Sequence, residues 1–474
     1  MRGFGLLMMC AFVACTNEGT DPPVGRLNFP SALAISGESL FVASSNFTLR
    51  YNAGALHRYD IGVANAALVD HCGGLSAEER DLCGIVPAED PQPGVGSPDL
   101  NIREVEGLLT SEVTLGSYAT GMAVLPNGDG ARVYMPVRSD ANISFVDVDA
   151  SGCLSCGGTG NSCDLVGSRH ACSDEFRRGN DDTASTRDIA LPADPVGIAV
   201  GPAADLGMGL GGNYVMTAHR GGRVSLFLEG GTGGIGAPYL VHTLEGFPNE
   251  LVSLAVDPVT QTAWMPNAIQ RVVSRVGVAI DDDTAAIDRS YLYNAGQLDL
   301  LGVDTGGESI GDTRAIRFDP RPEVRRAYIL SRRPRALLSV EVDESRDSLS
   351  IRDIMEVGVG PTRLDVRHFP SANRTLAFVS CFDSRDVYVL DVDQARLVGI
   401  VRGMGGAFEL TTFSDGTNNY VYVLDFQASA IRVLDLAPMF ECLDDTSFGG
   451  DASRECSPQQ LGFIGRPRTR QELI

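Results

Sequence analysis

The chain has 474 residues with 61 acidic and 38 basic side chains, a formal charge of −23, which argues against nucleic acid or an anionic lipid surface as the main partner because either would meet net repulsion. Hydrophobic residues make up 43% of it, enough for a core, while 54 Gly, 24 Pro and a single Trp suit a turn-rich all-β fold better than long helices. Every basic residue is Arg and none is Lys, which excludes Schiff-base lysines, the phosphate-loop lysine and Ser/Lys dyads.

The chain opens with "MRGFGLLMMCAFVAC": Arg2, an apolar run from Phe4 to Val13, then Ala14 before Cys15. The run is too short for a mature membrane-spanning helix. It resembles a bacterial lipoprotein signal, with Phe12-Val13-Ala14-Cys15 in the place of the lipobox and Phe12 where Leu is usual. That resemblance implies a signal peptide over 1–14, acylation of Cys15 and a lipidated tether over 15–26; Thr16 in place of Asp favours the outer membrane. An ordinary secretory signal cleaved nearby is the competing reading, and both export the protein. The tether, "TNEGTDPPVG", is polar and Pro-containing.

From residue 27 onward one pattern recurs. Seven short apolar strands can be stacked: "LFVASSN" from Leu40, "VYMPVRS" from Val133, "YVMTAHR" from Tyr214, "AWMPNAI" from Ala263, "AYILSRR" from Ala327, "AFVSCFD" from Ala377 and "VYVLDFQ" from Val421. Their second position reads Phe41, Tyr134, Val215, Trp264, Tyr328, Phe378 and Tyr422, aromatic in all but one. A strand such as "SALAI" or "GMAVL" precedes each copy. A third strand such as "ISFVDVD" or "DVYVLDVD" and a fourth such as "TRDIAL" or "ARLVGIV" follow. Alternating patterns jointed by Gly, Asp and Asn predict antiparallel meanders, and four strands at this spacing predict β-propeller blades, seven of them. The segment Gly116–Ala150 resembles the YVTN family of β-propeller repeats, and Gly358–Gly403 does so nearly as well; the other copies match loosely. "QLGFIGRP" from Gln460 repeats the fourth-strand pattern and is expected to complete the last blade and close the ring.

Four insertions, Gly62 to Thr110, Ala150 to Ser185, Asp281 to about Ser290 and Pro438 to Pro458, each follow a third strand and should crowd one face of the disc. They carry eight cysteines: Cys72 and Cys83; Cys153, Cys156, Cys163 and Cys172; Cys442 and Cys456. In an exported protein these predict disulfides Cys72–Cys83 and Cys442–Cys456 and two bridges within the group of four, whose three pairings the sequence leaves open. Zinc held by that group with His170 is the competing reading. Cys381, left over on a strand, reads as a buried thiol.

Several motifs look chemical. Gly307-Glu308-Ser309-Ile310-Gly311 satisfies G-x-S-x-G but precedes a strand instead of a helix. Gly231, Gly233 and Gly236 satisfy G-x-G-x-x-G yet open no helix. Asp281-Asp282-Asp283 lacks the ligand spacing of a calcium loop. The face with short turns gathers Asn46, Arg138, His219, Asn267, Arg332, Asp383 and Asp425, of which His219, Arg138, Arg332 and Asp383 form a candidate ligand site at the channel mouth; the plainer reading is that turn positions are polar. Blade five concentrates arginines from Arg314 to Arg335, read as a surface balanced by nearby acids, with docking of an acidic partner or ligand as the competing reading.

These features predict an all-β, seven-bladed propeller, monomeric, with no cofactor or metal and no assigned catalytic residue, tied to the envelope through its N-terminal lipid alone. It would act as a protein-binding or scaffolding module whose partner meets the insertion-rich face. The alternative is a propeller hydrolase of lactonase type or a quinoprotein-like oxidoreductase, an analogy of fold, which requires His219 at the channel mouth within reach of Arg or carboxylate partners.

Overall fold

The computed structural model describes residues 20–90, 100–157, 162–165, 170–179, 190–208, 211–230, 236–280, 290–300, 311–343, 348–445 and 455–467. Their strands form seven sheets in chain order. The innermost strands are Pro30–Ser36, Ala123–Asn127, Pro195–Pro202, Ala255–Asp257, Gly311–Phe318, Pro361–Phe369 and Ala407–Ser414. Each neighbours the next, and the last neighbours the first, so the strands ring a central channel. This is an all-β propeller of four-stranded antiparallel blades.

Six sheets carry four antiparallel strands of three to ten residues. Among the described residues the second sheet has three strands of five to eight residues, with the two-residue strands Leu154–Ser155 and Arg177–Arg178 paired to the third of them. The expected fourth strand there, "TRDIAL", lies largely outside the described residues. The third and fourth strands of the other six sheets pair with a register shift, as at Leu226/Phe227, Arg275/Val276 and Val389/Leu390. Such bulges increase local twist, which a radial blade needs.

The core is divided among the gaps between sheets. Seven clusters of buried apolar residues each join two neighbouring sheets, the last joining Tyr422 and Ile431 to Leu40 and Tyr59 across the closure. The aromatic column explains itself here: Phe41, Tyr134, Trp264, Tyr328, Phe378 and Tyr422 are fully buried. Each contributes on the order of 1.5–3 kcal/mol by leaving water.

Ring closure uses more chain than the sequence indicates. The strand Gln459–Ile464 completes the last blade. The strand Cys83–Pro87, from the insertion after the third strand of the first sheet, pairs parallel with it, placing Gly84 beside Phe463. A Cβ on Gly84 would meet the Phe463 ring at 2.3 Å, so the approach needs glycine. Helix α1 (Ile61–Cys72), capped by Asp60 accepting from the Val63 amide at 2.8 Å, packs behind this strand. Tyr422 donates to its Asn65 at 2.7 Å. The first insertion is thus a folded clasp between first and last sheets, where a loop was expected.

The disulfides are Cys72–Cys83, Cys153–Cys163, Cys156–Cys172 and Cys442–Cys456. The pairing within the group of four is therefore interleaved, first with third and second with fourth, and its sulfurs, being oxidised, are not thiolates for zinc. Cys381 is a buried free thiol whose pKa burial pushes up to about 12.

Candidate functional site

The residues expected to converge at the channel mouth do not act together. His219 is buried: Nδ1 lies 3.2 Å from Ala193 O and Nε2 3.0 Å from Ser225 Oγ. Burial lowers its pKa to about 4, so it stays neutral at physiological pH. This corrects the expectation on which the enzyme reading leaned, because a histidine with both nitrogens occupied inside a blade has no reach to the channel. Arg138 donates to Asp194 Oδ1 at 2.8 and 2.9 Å, and Arg332 to Pro361 O at 3.0 Å. Asp383 is exposed on its turn. Asn46, Asn267 and Asp425 hold turns: Asn267 Oδ1 accepts the amides of Ile269 and Gln270, and Asp425 those of Gly405 and Ala428. Asx-type acceptance of backbone N–H groups accounts for the polar column.

A relay that sequence reading missed lies in the first sheet. Ser44 Oγ is 3.1 Å from His57 Nε2, and His57 Nδ1 is 3.2 Å from Glu112 Oε2. The order Ser, His, Glu has the outline of a nucleophile, base and orienting acid. All three are buried, Ser44 Oγ also receives the Asn28 amide at 3.1 Å, and Glu112 Oε2 receives the Gly25 amide at 2.7 Å. With all three side chains buried and the hydroxyl already bonded, the relay ties strands together.

The channel itself has an arginine-rich wall. Arg363 donates to Glu409 Oε2 at 2.8 Å and reaches the carbonyl of Thr120, on the second sheet, at 3.4 Å, so it spans the channel. Arg367 donates to Thr412 O at 3.1 Å. Burial raises the pKa of Glu409 although Arg363 and Arg317 oppose it, and burial with Arg332 and Arg363 nearby lowers that of Arg314. The blade-five arginines therefore divide. Arg321 and Arg325 clamp Asp319 and Asp257 at 2.9 and 3.0 Å, while Arg314, Arg317 and Arg332 join the channel set.

Beside the channel mouth, Phe29, Phe47, Phe382, Phe408 and Phe426 form an arc of ring contacts with centroids 5.1–6.3 Å apart, and Arg363 lies 5.5 Å over Phe408. On the opposite face, a groove of about 560 Å³ runs between α1 and the turn 415–418, lined by Val69, Phe413 and Tyr420 together with Glu38, Asp70 and Asp415. Amides of Asn418 and Thr417 hold the Asp415 carboxyl below its usual range. Cys15, the G-x-S-x-G serine, the aspartate run at 281–283 and most of the G-x-G-x-x-G loop lie outside the described residues.

No protein-family model matches this chain, and no curated protein does. Among solved structures it is similar to hydrazine synthase of Kuenenia stuttgartiensis, at 12% identity and a TM-score of 0.50, over 90% of this chain and 99% of that one. A periplasmic gluconolactonase of Pseudomonas aeruginosa matches at 12% identity and a TM-score of 0.46, over 79% and 84% of the two chains. A protein from Lactobacillus plantarum matches at 14% and 0.45, over 78% and 82%. At these identities the likeness concerns the fold alone.

Proposed function

We propose that this chain is an exported, lipid-anchored β-propeller that works as a non-catalytic protein-binding module on the bacterial outer membrane. Its Cys15 carries the lipid, it works as a monomer without cofactor, and its partner meets the insertion-rich face. The observation that carries this reading is the groove beside α1. It joins Val69, Phe413 and Tyr420 to the acidic side chains Glu38, Asp70 and Asp415, and it sits on an element whose strand and disulfide fix it to the ring. Such a surface fits a basic, partly apolar segment.

The test is mild in-cell crosslinking of the tagged, lipidated protein followed by mass spectrometry. A partner in near-stoichiometric yield, lost on Val69→Glu and weakened on Glu38→Arg, is the expected result. A folded protein recovered alone would overturn it.

The alternative, a propeller hydrolase or quinoprotein-like oxidoreductase, finds support in the Arg363–Glu409 pair of the channel wall. It predicts lactone hydrolysis or dye reduction that disappears on Arg363→Gln.

A further inference from the structure

We infer that the short-turn face of the disc lies flat against the bilayer, with Phe47, Leu49 and Ile269 entering its interface. The inference rests on the reading of Cys15 as a lipid anchor and deepens it by giving the anchored propeller an orientation.

Three observations meet on this face. Among the described residues, the three most exposed large apolar side chains are Ile269 at 66%, Leu49 at 60% and Phe47 at 56%. All three stand on turns joining second to third strands, in the fourth and first sheets. Val359, 44% exposed, stands on the connection entering the sixth sheet, on the same face. The first, fourth and sixth positions of the ring form a tripod, which sets a disc flat where a single patch would tilt it. Solvent gives no reason to expose such side chains together, whereas the headgroup–acyl boundary does.

The chain also arrives from this side. Thr20 O accepts the Asn52 amide at 3.1 Å, and Asp21 accepts from the Asn52 side chain at 2.7 Å, so the tether leaves beside the Phe47–Leu49 turn. The five steps from Thr20 back to Cys15 reach about 17 Å when fully extended. A lipid on Cys15 therefore holds this turn near the membrane surface. The turn is built to keep its shape: Asn46 Oδ1 accepts the Tyr51 amide at 3.1 Å, its Nδ2 donates to Tyr51 O at 2.7 Å, and the aromatic arc backs Phe47.

Charge agrees with apolar exposure. The second-to-third turns, 45–53, 138–141, 220–222, 267–271, 334, 382–385 and 426–429, hold five arginines against two aspartates, and Arg332, Arg333 and Arg335 flank the turn at Pro334. The first-to-second turns of the other face, 37–38, 128–129, 203–212, 258–261, 319–325, 370–373 and 415–418, hold two arginines against six acids. Arg138 and Arg220 pair with Asp194 and Glu250, but Arg50, Arg271, Arg333 and Arg385 are exposed, placed to meet lipid phosphates. Within a chain of net charge −23, the second-to-third turns are thus net basic.

The single Trp264 is fully buried, which leaves a quiet background for an added reporter. Full-length lipidated protein carrying Phe47→Trp is placed in phosphatidylethanolamine/phosphatidylglycerol vesicles, with Val259→Trp on the opposite face as control. Brominated lipid is expected to remove most of the added emission of F47W, with a blue shift on vesicle binding, and none of that of V259W. A vesicle-bound F47W that is quenched no more than V259W overturns the inference. Mass spectrometry of Cys15 tests the anchor separately. If no acyl chain is found, the anchoring reading fails, and the same quenching comparison on full-length protein captured by an N-terminal histidine tag on nickel-chelating lipid decides the face.

Discussion

His219 and Arg132 show what burial does to single side chains. Unfolded His takes a proton below about pH 6.5, whereas folded His219 takes one only below about 4. Between these values the unfolded state binds the extra proton, so stability falls as pH falls from 6.5 toward 4, by on the order of 3 kcal/mol, and is unaffected above that window. Urea midpoints should show this slope, and His219→Gln should flatten it. Arg132 donates to Glu229 on the next sheet at 2.9 Å and to Asp147 at 2.5 Å, and burial raises the Glu229 pKa. Arg132→Met strands a buried carboxylate and should cost about 3–5 kcal/mol, with much of that recovered when Glu229→Gln is added; denaturant titration of the single and double variants checks it. Neither role was legible in the sequence. A histidine after an apolar strand looks the same whether its ring turns into the blade or toward the channel, and that choice is made by Ala193 and Ser225.

Among the elements, the clasp after the first sheet matters most. Its strand Cys83–Pro87 is fully buried, and the Cys72–Cys83 bridge ties it to α1. Loss of that bridge through Cys72→Ala/Cys83→Ala should lower stability by about 2–4 kcal/mol and expose residues 61–87 to protease before the rest of the ring; limited proteolysis with mass mapping reads this directly. The sequence placed the cysteine pair and the insertion correctly. It could not show that the segment would add a parallel strand to the far end of the chain, because parallel pairing leaves no local turn signal and the partners are separated by most of the sequence.

For the whole molecule, each sheet buries its apolar faces only against its neighbours, so the ring depends on closure. Truncation at Pro458 removes Gln459–Ile464, the strand that links the last blade to the clasp. It should abolish a single cooperative thermal transition, as followed by circular dichroism at two wavelengths.

Composition and period by themselves determined the all-β class, the repeated four-strand unit, the aromatic column and the one-sided insertions, because these follow from alternation and spacing along the chain. Tertiary structure alone decided that Cys153 pairs with Cys163 and Cys156 with Cys172, and that Arg363 crosses to Thr120. It also turned His219 into its blade, against Ala193 and Ser225. The physical reason is common to all of these: they depend on which side chains meet across blades, and closing the ring brings together residues that no local pattern relates.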